Sequence, residues 1–113
     1  MSRDSVAARC RALKGATEGY PFGPDVLVFK VAGKIFAILG DHDVSLKCDP
    51  GLAAALREEY PAVTAGYHLN KRHWNTVRLD GSIADDVLAD WIQDSYELAL
   101  AGLTRAERAA LGQ

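Results

Sequence analysis

The stretch VLVFKVAGKIFAIL, residues 26–39, decides the fold. Two runs rich in β-branched and aromatic residues, VLVFKV and KIFAIL, flank Ala32-Gly33, a two-residue link of the kind that closes a tight hairpin. Immediately downstream, DVSLKCD (43–49) alternates Val44, Leu46 and Cys48 with Asp43, Ser45 and Lys47, as a strand with one wet face does. Three successive strands on short links imply an antiparallel sheet rather than a parallel one, which would need long crossovers.

Outward from this meander the chain turns helical on both sides. Ser2 or Asp4 can cap a first helix that runs to about Lys14, with Val6, Cys10 and Leu13 on one face and Gly15 as its stop. ATEGYPFGPD (16–25), with two prolines and two glycines, reads as an ordered turn rather than an element. Asp49 and Pro50 are the N-cap and first residue of a second helix, PGLAAALREEY, halted before Pro61. PAVTAGYHLNKR is a loop with a short strand, HWNTVRL is a strand closed by Asp80-Gly81, and Ser82 opens a third helix bearing Val87, Leu88, Trp91, Ile92, Leu98 and Leu100. Thr104-x-x-Glu107 is a capping box for a short last helix. Segregated helices beside a meandering sheet define an α+β two-layer sandwich, antiparallel sheet below and helices on one face.

The 113 residues fit one domain, 1–113, large enough to bury a core. No run reaches the roughly 18 apolar residues of a membrane span, and MSRDSVAARCRALKG lacks a signal peptide's apolar segment, so a cytoplasmic protein with no membrane partner is expected. Cys10 and Cys48 lie far apart without C-x-x-C spacing and are expected to be reduced thiols on apolar faces. The net charge of −2 divides unevenly, +3 over residues 1–78 and −5 over 79–113.

GYHLNKRHWNTVRLDGS (66–82) gathers His68, His73, a Lys-Arg doublet and Trp74. The two histidines stand beside cations rather than carboxylates or thiols, which disfavours a metal site, and no cofactor motif is present. No Ser/His/Asp arrangement is fixed by a motif, so an enzyme stays open and unsupported. Strand parity gives a surface instead. If Val77 and Leu79 face the helices, then Trp74, Thr76 and Arg78 face away, together with Asp43, Ser45 and Lys47, and with Val26, Val28 and Lys30 of the first strand. Such a face would present Lys30, Lys47 and Arg78 around Trp74, with Lys71 and Arg72 at its edge, and cations beside an aromatic suit phosphate contact and base stacking. The bland reading puts Trp74 in the core, with cations that snorkel or pair with Asp43 and Asp49.

YPFGPDVLVFKVAGKIFAIL, SLKCDP, LREEYPAV, AGYHLNKRHWNTVRLDGS and DSYELALAGL, over about residues 16–103, resemble the successive blocks of the MmcQ/YjbR family of small bacterial proteins. The resemblance implies an α+β domain similar to the frataxin (CyaY-like) and secretion-chaperone folds. Family members have no settled biochemical activity and are commonly described as DNA-binding through a double-wing type of contact. Tyr67, His68, Asn70, Lys71, Arg72, His73, Trp74 and Asn75 match the family pattern in place, with Leu69 where methionine is frequent and Arg72 where lysine is frequent. An iron-binding role by analogy with frataxin is not expected, because the first helix carries a single acid, Asp4, beside four Lys/Arg within residues 1–14.

Three functional expectations follow. The first is a non-enzymatic DNA-binding module with phosphate contacts from Lys47, Lys71, Arg72 and Arg78, stacking from Trp74, polar contacts from Asn70 and Asn75, and Lys30, Tyr67, His68 and His73 as secondary candidates. The second is a protein-interaction or chaperone-like domain, self-associating or engaging a protein partner through the acidic third helix or an exposed strand edge. The third is a site for a small anionic ligand, or an enzyme site, at YHLNKRHW.

Overall fold

The structure, a computed structural model, describes residues 1–66 and 69–112. Its elements run α1 (Arg3–Arg11), β1 (Ala16–Gly19), β2 (Leu27–Val31), β3 (Lys34–Leu39), β4 (Asp43–Lys47), α2 (Pro50–Glu59), β5 (Val63–Ala65), β6 (Trp74–Arg78), α3 (Asp85–Ala101) and α4 (Arg105–Ala110). The strands form one six-stranded sheet in the order β1-β2-β3-β4-β6-β5, antiparallel at every pairing. The two-layer α+β architecture expected from the meander is the one adopted.

The β2–β3 hairpin turns on Ala32 and Gly33, both at positive φ (48° and 79°). That pair of left-handed residues matches the right-handed twist of the flanking strands, at the cost of placing an alanine where glycine or asparagine is preferred. Past the turn the register slips. Lys30 pairs with Ile35 but Phe29 with Ala37, so Phe36 is an inserted residue and both Phe36 and Ala37 lie in the core. Leu27, Phe29, Val31, Leu39, Val44, Leu46, Val63 and Val77 complete the inward face.

α3 lies against that face through Leu88, Ile92, Ser95, Tyr96 and Ala99, the 3- to 4-residue spacing of one helical stripe. Tyr96 meets Phe36 edge-on at 5.4 Å between ring centres. Each fully buried Phe, Leu or Ile here contributes on the order of 1.5–3 kcal/mol. α1, capped by a reciprocal Ser2/Ser5 box, adds Val6, Ala7 and Cys10 to the same core. α2 begins as expected, with the Asp49 carboxylate accepting from the amides of Gly51 and Leu52 and Pro50 in the first turn, and α4 opens on the Thr104/Glu107 box.

Three boundaries differ from expectation. ATEG within the expected turn is an edge strand, β1, because Val28–Val31 of β2 would otherwise leave a row of backbone groups unpaired. α1 ends at Arg11, short of Lys14. Ser82 does not open α3: its amide and hydroxyl both go to the Asp80 carboxylate, closing the Asp80-Gly81 turn, and the helix starts at Asp85 without a side-chain cap.

Candidate nucleic-acid interface

The site is defined by which side of the sheet each residue takes, and the register settles that. Opposite the core pairs Leu46–Asn75 and Val44–Val77 stand the alternate rungs Lys47–Trp74, Ser45–Thr76 and Asp43–Arg78, all on the side without helices. Trp74 is half-buried there, not sealed in the interior. Lys47 sits directly across from it, about 5 Å away at the backbone. Lys30 lies on the same side of the sheet two strands beyond β4, past the β3 bulge and at least about 14 Å from Trp74. Between the Lys47–Trp74 and Asp43–Arg78 rungs the Ser45 and Thr76 hydroxyls share a 2.8 Å hydrogen bond.

Arg78 shares the face but not the cluster. It lies four residues along β6 from Trp74, on the order of 13 Å, beside Asp43 at the opposite end of the sheet. There it borders a separate groove with His42, Thr64 and Thr76. The expected ring of three cations around Trp74 is thus one close lysine, a second two strands further across the sheet and a distant arginine.

The approach to β6 is a tight turn over residues 70–73. The Asn70 carbonyl accepts from the amides of His73 and Trp74, and its side-chain oxygen accepts from the Arg72 amide, an Asx-type turn that leaves Lys71 and Arg72 exposed. His73 is half-buried and its carbonyl accepts from the Cys48 amide, stitching the turn to the end of β4. The expectations attached to Tyr67 and His68 lie outside the described residues. Among the described residues no three His, Cys, Asp or Glu side chains gather as a metal set.

Asn75 is a correction. It faces the helices, 3 % exposed, with its side-chain NH2 donating to the Ala53 carbonyl at 3.2 Å and its oxygen accepting from Arg57. Fully engaged inside, it fastens α2 to β6 and is withdrawn from the surface contacts expected of it. Arg57 was not singled out in the sequence, yet the same guanidinium nitrogen donates to the Lys71 carbonyl at 2.8 Å, so α2 holds the cationic turn in place.

Two further residues support the interface. Gly66 donates its amide to the Trp74 carbonyl, and a Cβ added there would lie 2.7 Å from the Trp74 Cβ and 3.1 Å from its carbonyl oxygen. Only glycine permits this approach of β5's end to β6. Ser95, fully buried on α3, donates to the Phe36 carbonyl and accepts from the Lys47 amide at 2.8 Å, satisfying backbone groups that the β3 bulge leaves outside the ladder. The spacing 88, 92, 95, 99 marks Ser95 as inward-facing in the sequence, whereas nothing in it distinguishes Arg57 from a solvated helix cation.

Both thiol pKa values are raised, away from thiolate character. Burial pushes the Cys10 thiol up to about 12, and at Cys48 partial burial, then the neighbouring Asp49 and Asp94 carboxylates, outweigh Arg57 and raise the pKa.

A wholly antiparallel sheet, one face covered by helices and the other free of them although Val28 and Ser45 on it are buried, with a Lys–Trp rung beside a cationic turn, defines a small α+β sandwich with one helix-free sheet surface. The chain belongs to the YjbR family, whose model matches residues 11–98. It is 38% identical over 93 residues to the uncharacterised protein YbdF of Escherichia coli O157:H7, covering 79% of this chain and 76% of that one. It is 35% identical over 117 residues to the uncharacterised protein YjbR of Escherichia coli K12, covering 100% and 99%. Among solved structures, a Deinococcus radiodurans protein described by its DUF419 domain superposes with a TM-score of 0.91 at 36% identity, over 98% of this chain and 88% of the other. A Pseudomonas syringae protein superposes with a TM-score of 0.77 at 27% identity, over 88% and 99%.

Proposed function

We propose that this protein is a non-enzymatic nucleic-acid-binding module that uses the open face of its sheet. The observation that carries the reading is the Lys47–Trp74 rung: an ammonium and an indole, direct cross-strand neighbours on the face that no helix covers. An indole offers every base a stacking surface, and a lysine beside it offers a phosphate contact, a pairing that tolerates sequence variation. Lys71 and Arg72, exposed on the adjoining turn, extend the cationic rim, and Lys30 adds a further cation on the same side of the sheet. Arg78 serves a separate phosphate at the other end. With a net charge of −2 the affinity rests on this local patch rather than on the whole molecule.

A fluorescence titration tests the reading. In a Trp91→Phe background, which isolates the Trp74 signal, duplex and single-stranded oligonucleotides are added at low and moderate salt. Quenching that weakens steeply with salt is expected, and Lys71→Ala or Arg72→Ala should each lower the salt slope by about one unit. Absence of quenching and of any complex at low salt would end the proposal.

A further inference from the structure

On the other layer of the molecule, α2 packs over β5 and β6 and α3 over β2, β3 and β4, with a cleft between Leu52 of α2 and Asp94, Glu97 and Leu98 of α3. At its mouth a groove of about 290 Å³ is lined by Cys48, Asp49, Leu52, Asp94, Glu97 and Leu98. Its inner end shares Cys48, Leu52 and Asp94 with a water-sized void of about 20 Å³ walled also by Trp91, Asn75, Lys47 and core side chains. Leu52, the gatepost between them, is 43% exposed, one of three large apolar side chains so exposed among the described residues. A Leu in that position lowers its free energy when another apolar group covers it.

The rim is of one sign. α3 carries Asp85, Asp86, Asp90, Asp94 and Glu97 and no Lys or Arg. Asp86, Asp90 and Asp94 follow one another at i, i+4 spacing with Glu97 three beyond, a like-charge row that weakens an isolated helix instead of supporting it. Among the described residues none of Asp90, Asp94 and Glu97 has a cation within salt-bridge distance. The Asp94 carboxyl pKa is raised, by partial burial first and then by Glu97 and Asp90, as expected where the row meets the apolar wall.

An apolar slot beside an uncompensated anionic row selects its occupant by charge. We infer that the α2–α3 cleft is a docking groove for a cationic amphipathic helix of a partner protein. Two apolar side chains three or four residues apart would seat on Leu52 and Leu98, and Lys or Arg at i, i+4 spacing would run beside Asp90, Asp94 and Glu97. Such a partner removes Leu52 from water and relieves the repulsion along α3 at once. The groove lies on the helical layer, whereas the Trp74 indole lies on the other side of the sheet, so the inference does not rest on nucleic-acid binding.

The test uses the 15N-labelled full chain titrated with an 18-residue model peptide of Leu and Lys at helical spacing, followed by amide shifts. Two control peptides keep the pattern, one with Glu for Lys and one with Ser for Leu. Saturable shifts centred on Cys48, Leu52, Asp94 and Leu98 are expected from the Leu/Lys peptide alone. Leu52→Ser, an exposed position that folding tolerates, should weaken binding about tenfold, as should the pair Asp94→Asn with Glu97→Gln, while Trp74→Ala leaves it unchanged. Equal binding of the Ser/Lys peptide, or no loss in Leu52→Ser, would reduce the effect to diffuse charge attraction and overturn the proposal. So would the absence of shifts. Shifts at the same amides on raising the protein concentration without peptide would assign the groove to a second copy and equally overturn it.

Discussion

Leu46–Asn75 and Lys47–Trp74 are consecutive rungs of one ladder, and they end in opposite surroundings. The first rung turns a polar amide inward, where it is 3 % exposed and bonded to Ala53 and Arg57. The second turns a large indole outward beside an ammonium. Hydrophobicity alone would exchange them. Backbone parity assigns the sides, and each residue then either finds partners, as Asn75 does in α2, or finds a use for its exposure, as Trp74 can on the helix-free face.

The contrast predicts a graded set of substitutions. Asn75→Ala should cost about 3 kcal/mol, measured by urea unfolding, because it removes both side-chain bonds that join β6 to α2 and leaves a gap in a buried seam. A loss below about 1 kcal/mol would show that the inward rung is not the clamp between α2 and β6. Ser95→Ala should cost about 2 kcal/mol by leaving the Phe36 carbonyl and Lys47 amide without their shared hydroxyl. Gly66→Ala, which must push β5's end away from β6, should lose about 1.5 kcal/mol and slow-exchange protection of the Trp74 region. Trp74→Ala keeps the Cβ that Gly66 touches and should cost only about 1 kcal/mol of stability, while removing oligonucleotide quenching; a core-sized loss would place the indole with the inner rung after all. Smallest of all, Ala32→Asn should raise the unfolding midpoint by the equivalent of about 0.5 kcal/mol, since asparagine accepts positive φ at the hairpin more readily than alanine does.

The same ladder shows what was legible in the sequence. Alternation in DVSLKCD and HWNTVRL assigned sides to Val44, Leu46, Val77, Lys47, Trp74 and Arg78 that match the register, because period-2 patterning is a local property. What parity cannot supply is position along the strand. Arg78 takes the same face as Trp74 yet sits a strand-length away, since only cross-strand register says which residues share a row. Asn75 lies on the inward parity of Val77, but its polarity suggested the surface, and the bond that reconciles the two comes from Ala53, 22 residues earlier. β1 escaped because Thr17 and Glu18 are polar and the strand exists through backbone pairing with β2. The start of α3 was misplaced because a side chain that can cap a helix, Ser82, closes a turn equally well.

The shared nitrogen of Arg57 ties together three parts of the molecule: the helix that carries it, the Lys71 carbonyl of the cationic turn, and the Asn75 amide of β6. Because α2 also contributes Leu52 to the cleft wall, that one guanidinium fixes where the turn and β6 sit relative to the helix. One nitrogen serving two acceptors is a keystone: a lysine there keeps the charge but loses the fixed planar geometry that seats the turn against β6.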